Sequence, residues 1–163
     1  MREVEEHYGF KAEWYHCKDC ATVEEYNEKY GSDLWMKDID EYDRLCKVEP
    51  LQRALAETST DAWINGRRRD HGAERASLPV WEGQKINPLS WWTFEDCWLY
   101  LRRHDVPYHP LHDVGFSSLG DIQSTRPVPL DQWMTYGGER SGRFQGMVNK
   151  DGSAKTECGL HSK

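Results

Sequence analysis

Cys158 stands in a short polar segment, Lys155-Thr156-Glu157-Cys158-Gly159-Leu160-His161, near the last residue of the chain, Lys163. Structural free cysteines behave as small hydrophobes and sit in cores. A cysteine on a polar tail is open to another use. Its thiolate is a nucleophile, and a nearby cation favours that form. Lys155 and a protonated His161 are the cations at hand. Such a tail can present its sulfur to a substrate and then to a second protein. The plain alternative is an incidental cysteine on a disordered tail.

The other residues with chemistry in them are arginines. Gly66-Arg67-Arg68-Arg69-Asp70 is followed by Arg75, and Glu139-Arg140-Ser141-Gly142-Arg143-Phe144 comes shortly before the tail. Planar guanidinium groups grip phosphate and sulfate. Three arginines in a row also occur on plain surfaces, but these follow an apolar run and a glycine, which favours an anion. Cys17-Lys18-Asp19-Cys20 is a weaker signal. A structural zinc site needs four ligands, and no second such pair exists. A thioredoxin-like pair needs a strand-to-helix context that is missing. Both residues read as loop cysteines. Cys97 reads as core and Cys46 as structural. His104, His109 and His112 have no metal-ligand spacing.

These residues need elements to hold them. Thr22 reads as the N-cap of a helix to Lys29, with Glu25 three residues on. Phe10–Tyr15 reads as a possible strand. Val48-Glu49-Pro50-Leu51 opens a helix, with Pro50 in its first turn. Ala62-Trp63-Ile64 reads as a buried strand, so the arginines lie at its C-terminal end, the edge where open α/β sheets bind ligands. Leu78–Trp81 and Lys85–Pro88 read as extended segments around a turn at Gly83. Thr93 caps a helix whose Phe94, Cys97, Trp98 and Leu101 share one face. From Pro107 the chain reads mostly as loop.

The chain of 163 residues suffices for one domain with a modest core, much of it supplied by eight Trp and eight Tyr. Its formal charge of −7 is uneven: residues 1–49 carry 14 acids against 7 bases, and the remainder carries 14 of each. An acidic chain with local arginine clusters does not fit a general nucleic-acid binder. No apolar run approaches the roughly 18 residues of a membrane span. Five cysteines without even spacing fit a reducing compartment.

Taken in order, several segments carry a resemblance: Lys47-Val48-Glu49-Pro50-Leu51, Gly66-Arg67-Arg68-Arg69-Asp70, Lys85-Ile86-Asn87-Pro88-Leu89 and Val106-Pro107-Tyr108-His109-Pro110-Leu111. Gly120-Asp121, Ser124-Thr125-Arg126-Pro127, Glu139-Arg140-Ser141-Gly142-Arg143-Phe144 and the Glu157-Cys158-Gly159-Leu160-His161 tail follow. In this set, from about residue 42 onward, the chain resembles the assimilatory phosphoadenylyl-sulfate (PAPS) reductases. The resemblance implies an α/β fold of the adenine nucleotide alpha-hydrolase-like (PP-loop) class, a doubly wound parallel sheet incomplete at its N-terminus. It implies a partial reductase domain over residues 1–127 and a mobile tail over 128–163.

It also implies an activity. Cys158 attacks the sulfuryl sulfur of 3′-phosphoadenosine 5′-phosphosulfate, adenosine 3′,5′-bisphosphate leaves, and thioredoxin or glutaredoxin releases sulfite from the S-sulfocysteine. By the same resemblance Lys47, Arg68, Arg69, Arg75, Arg140 and Arg143 contact phosphate and sulfate, and His161 helps close the tail. The expected protein is a homodimer of the cytoplasm or a plastid, with no nucleic acid or membrane partner. Cluster-bearing adenylyl-sulfate (APS) reductases place iron–sulfur ligands where this chain has Tyr42, Asp43, Asp121 and Ser124, so no cluster and no other cofactor is expected. Family members begin with a strand, a phosphate-binding loop and a helix that this chain lacks. The expectation is a truncated copy of a longer protein. The alternatives are a missing part supplied by another chain, a non-catalytic remnant that binds adenosine bisphosphates or a redoxin, an APS reductase without a cluster, and, weakest, a related ATP pyrophosphatase.

Overall fold

The computed structural model of the protein describes residues 1–149 and 151–160. Its helices in chain order are α1 (Arg2–Tyr8), α2 (Val23–Tyr30), α3 (Leu34–Lys37), α4 (Ile39–Asp43), α5 (Glu49–Glu57), α6 (Phe94–Arg103) and α7 (Leu130–Trp133). Three short strands, β1 (Trp63–Ile64), β2 (Trp81–Glu82) and β3 (Lys85–Ile86), make one sheet in the order β1-β3-β2. The class is α/β, as expected. The described sheet is mixed: β1 runs parallel to β3, and β2 runs antiparallel to it. The antiparallel pair arises because only Gly83 and Gln84 separate β2 from β3. Gly83 takes φ +59°, a turn conformation that costs glycine little.

The chain forms two compact units. The first joins Met1–Phe10 to Asp61–Gly146. Its core is aromatic: Phe94, Val128 and Trp133 are buried, with Trp98 packed on them. Trp133 meets Phe94 and Trp98 edge-on, each at 5.9 Å between ring centroids, and its indole N–H donates to the Val128 carbonyl at 2.8 Å. Helix α6 starts where expected. Thr93 Oγ accepts the Asp96 N–H at 3.1 Å, and Asp96 accepts the Thr93 N–H at 2.8 Å. Strand β1 departs from the buried strand expected, because Trp63 is half-buried and Ile64 is exposed. Successive side chains of a strand point to opposite faces, and only one face here is covered.

The second unit joins Lys11–Thr60 to Met147–Lys163. Phe10–Tyr15 form no strand. Thr22 caps α2 by accepting the Glu25 N–H at 3.2 Å, while Glu25 reaches past it to the Ala21 N–H at 2.7 Å. The helix at Pro50 does not open there. It continues from α4 through a π-helical turn, Arg44–Val48, into α5. Proline has no N–H and crowds the carbonyl four residues back, and a wider turn before it relieves both. Cys17 and Cys20 lie on a tight turn as read, but they are buried against Leu45, with Cys46 alongside. No helix of the described residues is long and apolar enough to cross a membrane.

Candidate functional site

In the first unit the arginine run leaves β1 and divides by direction. Arg67 turns to the sheet: its Nε donates to Asn65 Oδ1 at 3.1 Å and Asn87 Oδ1 at 3.2 Å, and its NH2 meets Glu82 at 2.5 Å. Asn87 is fully buried and donates onward to the Pro79 carbonyl at 2.9 Å. Arg67 is therefore a fixture that ties the strand end to the β2–β3 hairpin.

Arg68 turns the other way. It is buried, pairs through NH2 with Glu139, and lies 5.8 Å from the centroid of the Phe94 ring. Its Nε–H is buried with no hydrogen-bond acceptor among the described residues. A buried donor left open is costly unless something fills the place.

Around Arg68 lies a group that ordinary sequence signals do not connect. His71 Nε2 is 3.2 Å from the Glu139 carboxylate, while His71 Nδ1 faces Arg75 NH1 at 2.8 Å and the Arg68 N–H at 3.4 Å. Two donors aimed at Nδ1 make it the acceptor, so Nε2 carries the proton given to Glu139. Burial pushes His71 below the ordinary histidine value, and the two arginines push the same way. Burial alone would raise Glu139, yet the His71 hydrogen bond and the Arg68 charge hold its carboxyl below the usual range. With His71 neutral, these four groups carry net positive charge in a place where water screens little. Cys97, on α6, is half-buried. Burial raises its thiol, opposed by the nearby Arg68 charge.

The surrounding segments are fixed by specific bonds. Asp70 accepts the Phe94 N–H at 2.7 Å, which ties the arginine loop to the start of α6. The Asp70 carbonyl accepts the Gly137 N–H at 2.9 Å and brings in the segment of Glu139. Arg69 stands at the rim, donating through Nε to the Leu78 carbonyl at 2.8 Å and lying 3.5 Å over the exposed Trp91 ring. Arg140 and Arg143 flank the buried Phe144 ring at 5.8 and 5.1 Å. Arg143 also donates to the Leu119 carbonyl at 2.5 Å, its guanidinium lying where a side chain on Gly120 would go.

In the second unit Lys47 donates to Asp43 Oδ1 at 2.7 Å, one helical turn away, and lies 5.1 Å from the Tyr42 ring centroid. Lys155 is buried and stands 3.0 Å from the other Asp43 oxygen, close as an ion pair but not aligned as a hydrogen bond. Lys155, read as a cation for the thiol, is thus committed to Asp43. Cys158 is half-buried three residues on, and His161 lies outside the described residues. Among the described residues, no group of three or more His, Cys, Asp or Glu is arranged to hold a metal ion.

The structure therefore brings Arg68 and Arg75 together, sets Arg69 at their edge, gathers Arg140 and Arg143 on Phe144, and places Lys47 and Cys158 in the other unit. Three partners escaped the reading of residue types: His71, Glu139 and Asp43. Glu139 sits inside a quoted motif and His71 directly follows one, but nothing in their spacing pairs them.

The family described as phosphoadenosine phosphosulfate reductase domain matches residues 1–127. The chain is 43% identical over 146 residues to the phosphoadenosine phosphosulfate reductase of Emericella nidulans, covering 86% of this chain and 44% of that protein. To the corresponding protein of Saccharomyces cerevisiae it is 42% identical over 148 residues, covering 87% and 52%. It is also 39% identical over 148 residues to an adenosine 5′-phosphosulfate reductase of Bacillus cytotoxicus, covering 87% and 58%. A crystal structure of phosphoadenylyl-sulfate (PAPS) reductase from Candida auris, a phosphate complex, superposes with a TM-score of 0.67 at 38% identity, covering 77% of this chain and 62% of that one. The chain spans about half the length of the curated relatives it matches. On the family match and these identities, the chain belongs to the phosphoadenosine phosphosulfate reductase family.

Proposed function

We propose that this chain carries the cation and cysteine machinery of a sulfonucleotide reductase that converts PAPS to sulfite and adenosine 3′,5′-bisphosphate. The observation that carries the reading is the buried, net-positive Arg68–His71–Glu139–Arg75 group, with its open Arg68 Nε–H, in a chain of this family that also carries Glu157-Cys158-Gly159-Leu160-His161. A leaving bisphosphate is strongly anionic, and preorganised cations stabilise it as charge develops. In this reading Lys47, Arg68, Arg69, Arg75, Arg140 and Arg143 hold phosphate and sulfate, and His161 helps close the tail.

The chemistry balances without a bound cofactor. The Cys158 thiolate forms a bond to the sulfuryl sulfur, the sulfur–oxygen bond to the phosphate breaks, and its electron pair leaves on the bisphosphate. A thiolate of thioredoxin or glutaredoxin then attacks Cys158 Sγ and sulfite departs with the bonding pair. The second redoxin thiol resolves the mixed disulfide and regenerates Cys158. The dithiol supplies both electrons. A homodimer in the cytoplasm or a plastid is the setting proposed.

Intact-mass spectrometry of the reduced chain with PAPS and no redoxin tests this. One SO3 unit added at Cys158, removed by thioredoxin and absent from Cys158→Ser, is the expected result. A folded chain that takes no adduct refutes the proposal. Because one relative bears the name adenosine 5′-phosphosulfate reductase, the same experiment with adenosine 5′-phosphosulfate decides the nucleotide.

A further inference from the structure

Asp43 serves two lysines, one from each of the two chain segments that make the second unit. Its side chain is 5% exposed, with Lys47 on one oxygen and Lys155 on the other. Lys155 is buried as deeply, at 4%, and its next acidic neighbour is Asp40, 4.0 Å away and half in solvent. A buried ammonium is tolerated only where a counter-charge meets it, so Asp43 dictates where Lys155 sits. The backbone agrees: the Lys155 N–H donates to the Met147 carbonyl at 3.1 Å, and Val148 bridges Ala154. Beyond Lys155 the tail is Thr156, Glu157, Cys158. Three residues reach at most about 11 Å even fully extended. The anchor therefore bounds the positions that the cysteine can take.

We propose that Asp43 and Lys155 are positioning residues for Cys158, and that Asp43 couples tail docking to anion binding at Lys47. The coupling half rests on the function proposed above. An anion that draws the Lys47 ammonium away leaves the Asp43 charge to Lys155 and tightens the dock. By linkage, a docked tail favours the anion equally. The carboxylate that holds the tail is the one that yields the substrate cation.

Cys158 alkylation by iodoacetamide in the full chain, without nucleotide, tests the anchor. Lys155→Met keeps the bulk of the buried stem and removes its charge. It is expected to speed alkylation about tenfold, below what loss of one partner of a buried pair can supply. Lys155→Arg should keep most of the protection. If Lys155 served instead as the cation beside the thiol, its loss would slow alkylation, and that result overturns the anchor. Amide exchange at Lys155 in the unaltered chain tests the coupling with no variant. Saturating adenosine 3′,5′-bisphosphate is expected to slow it severalfold. Bound bisphosphate with unchanged exchange overturns the coupling, whereas failure of bisphosphate to bind is a failure of the proposed function and leaves the alkylation result to decide the anchor.

Discussion

Glu139→Gln isolates the charge at the centre of the arginine group. The side chains of Arg68 and Glu139 are 8% and 13% exposed, so neither partner is well screened. Glutamine keeps the shape and one acceptor oxygen but removes the counter-charge. Arg68 is then left with the Phe94 ring, an open Nε–H and the neighbouring Arg75. Removing one partner of a buried pair costs about 3–5 kcal/mol, because the remaining charge stays desolvated. The amide oxygen still accepts from Arg68 or His71, so about 3 kcal/mol is the expected loss. For a chain of this size that lowers the melting temperature by about 6–12 °C. Urea unfolding followed by tryptophan fluorescence measures it. The same variant makes the group more positive. Sulfate, compared with chloride at equal ionic strength, should therefore restore more stability to Glu139→Gln than to the parent, by the ordinary linkage of ligand to fold. A loss below about 0.5 kcal/mol, the range of neutral surface changes, refutes the burial argument. A full loss without preferential sulfate rescue refutes the anion site.

His71 predicts a pH dependence. Its folded value is depressed below the ordinary 6.5, so between the two values the unfolded chain binds the proton and the folded one does not. Stability attributable to His71 is full above about pH 6.5 and falls on acidification until the folded value is passed; His71→Asn should flatten the stability profile there, and an unchanged slope would discard the neutral assignment. Glycine replacements should separate backbone necessity from motif membership. A side chain on Gly142 would run into the Arg126 carbonyl, whereas one on Gly66 meets nothing within 4 Å. Gly142→Ala is expected to cost more than about 2 kcal/mol and Gly66→Ala less than about 0.5 kcal/mol in the same urea titration.

Local elements were legible because their causes are local. Thr22 and Thr93 cap helices through atoms three residues away, and the turn at Gly83 joins two strands two residues apart. The helix expected to open at Val48–Leu51 instead continues from the turns before it, because the π turn that accommodates the proline has no composition of its own. Strand β1 is less buried than its apolar residues predict, because such residues say which faces can be covered, not which are.

The arginine run shows the same division at the site. The residues alone determined that this chain holds clustered guanidinium groups and a tail thiol, and that their ordered motifs resemble one family. They did not determine that Arg67 locks the sheet while Arg68, its neighbour, faces Glu139 from 71 positions away. Consecutive side chains diverge in space, so adjacency in sequence says nothing about shared purpose. His71 is a neutral donor, and Lys155 a buried anchor, for the same reason. Charge state and role follow from desolvation and from partners brought by distant parts of the chain, and only the folded backbone decides who those partners are.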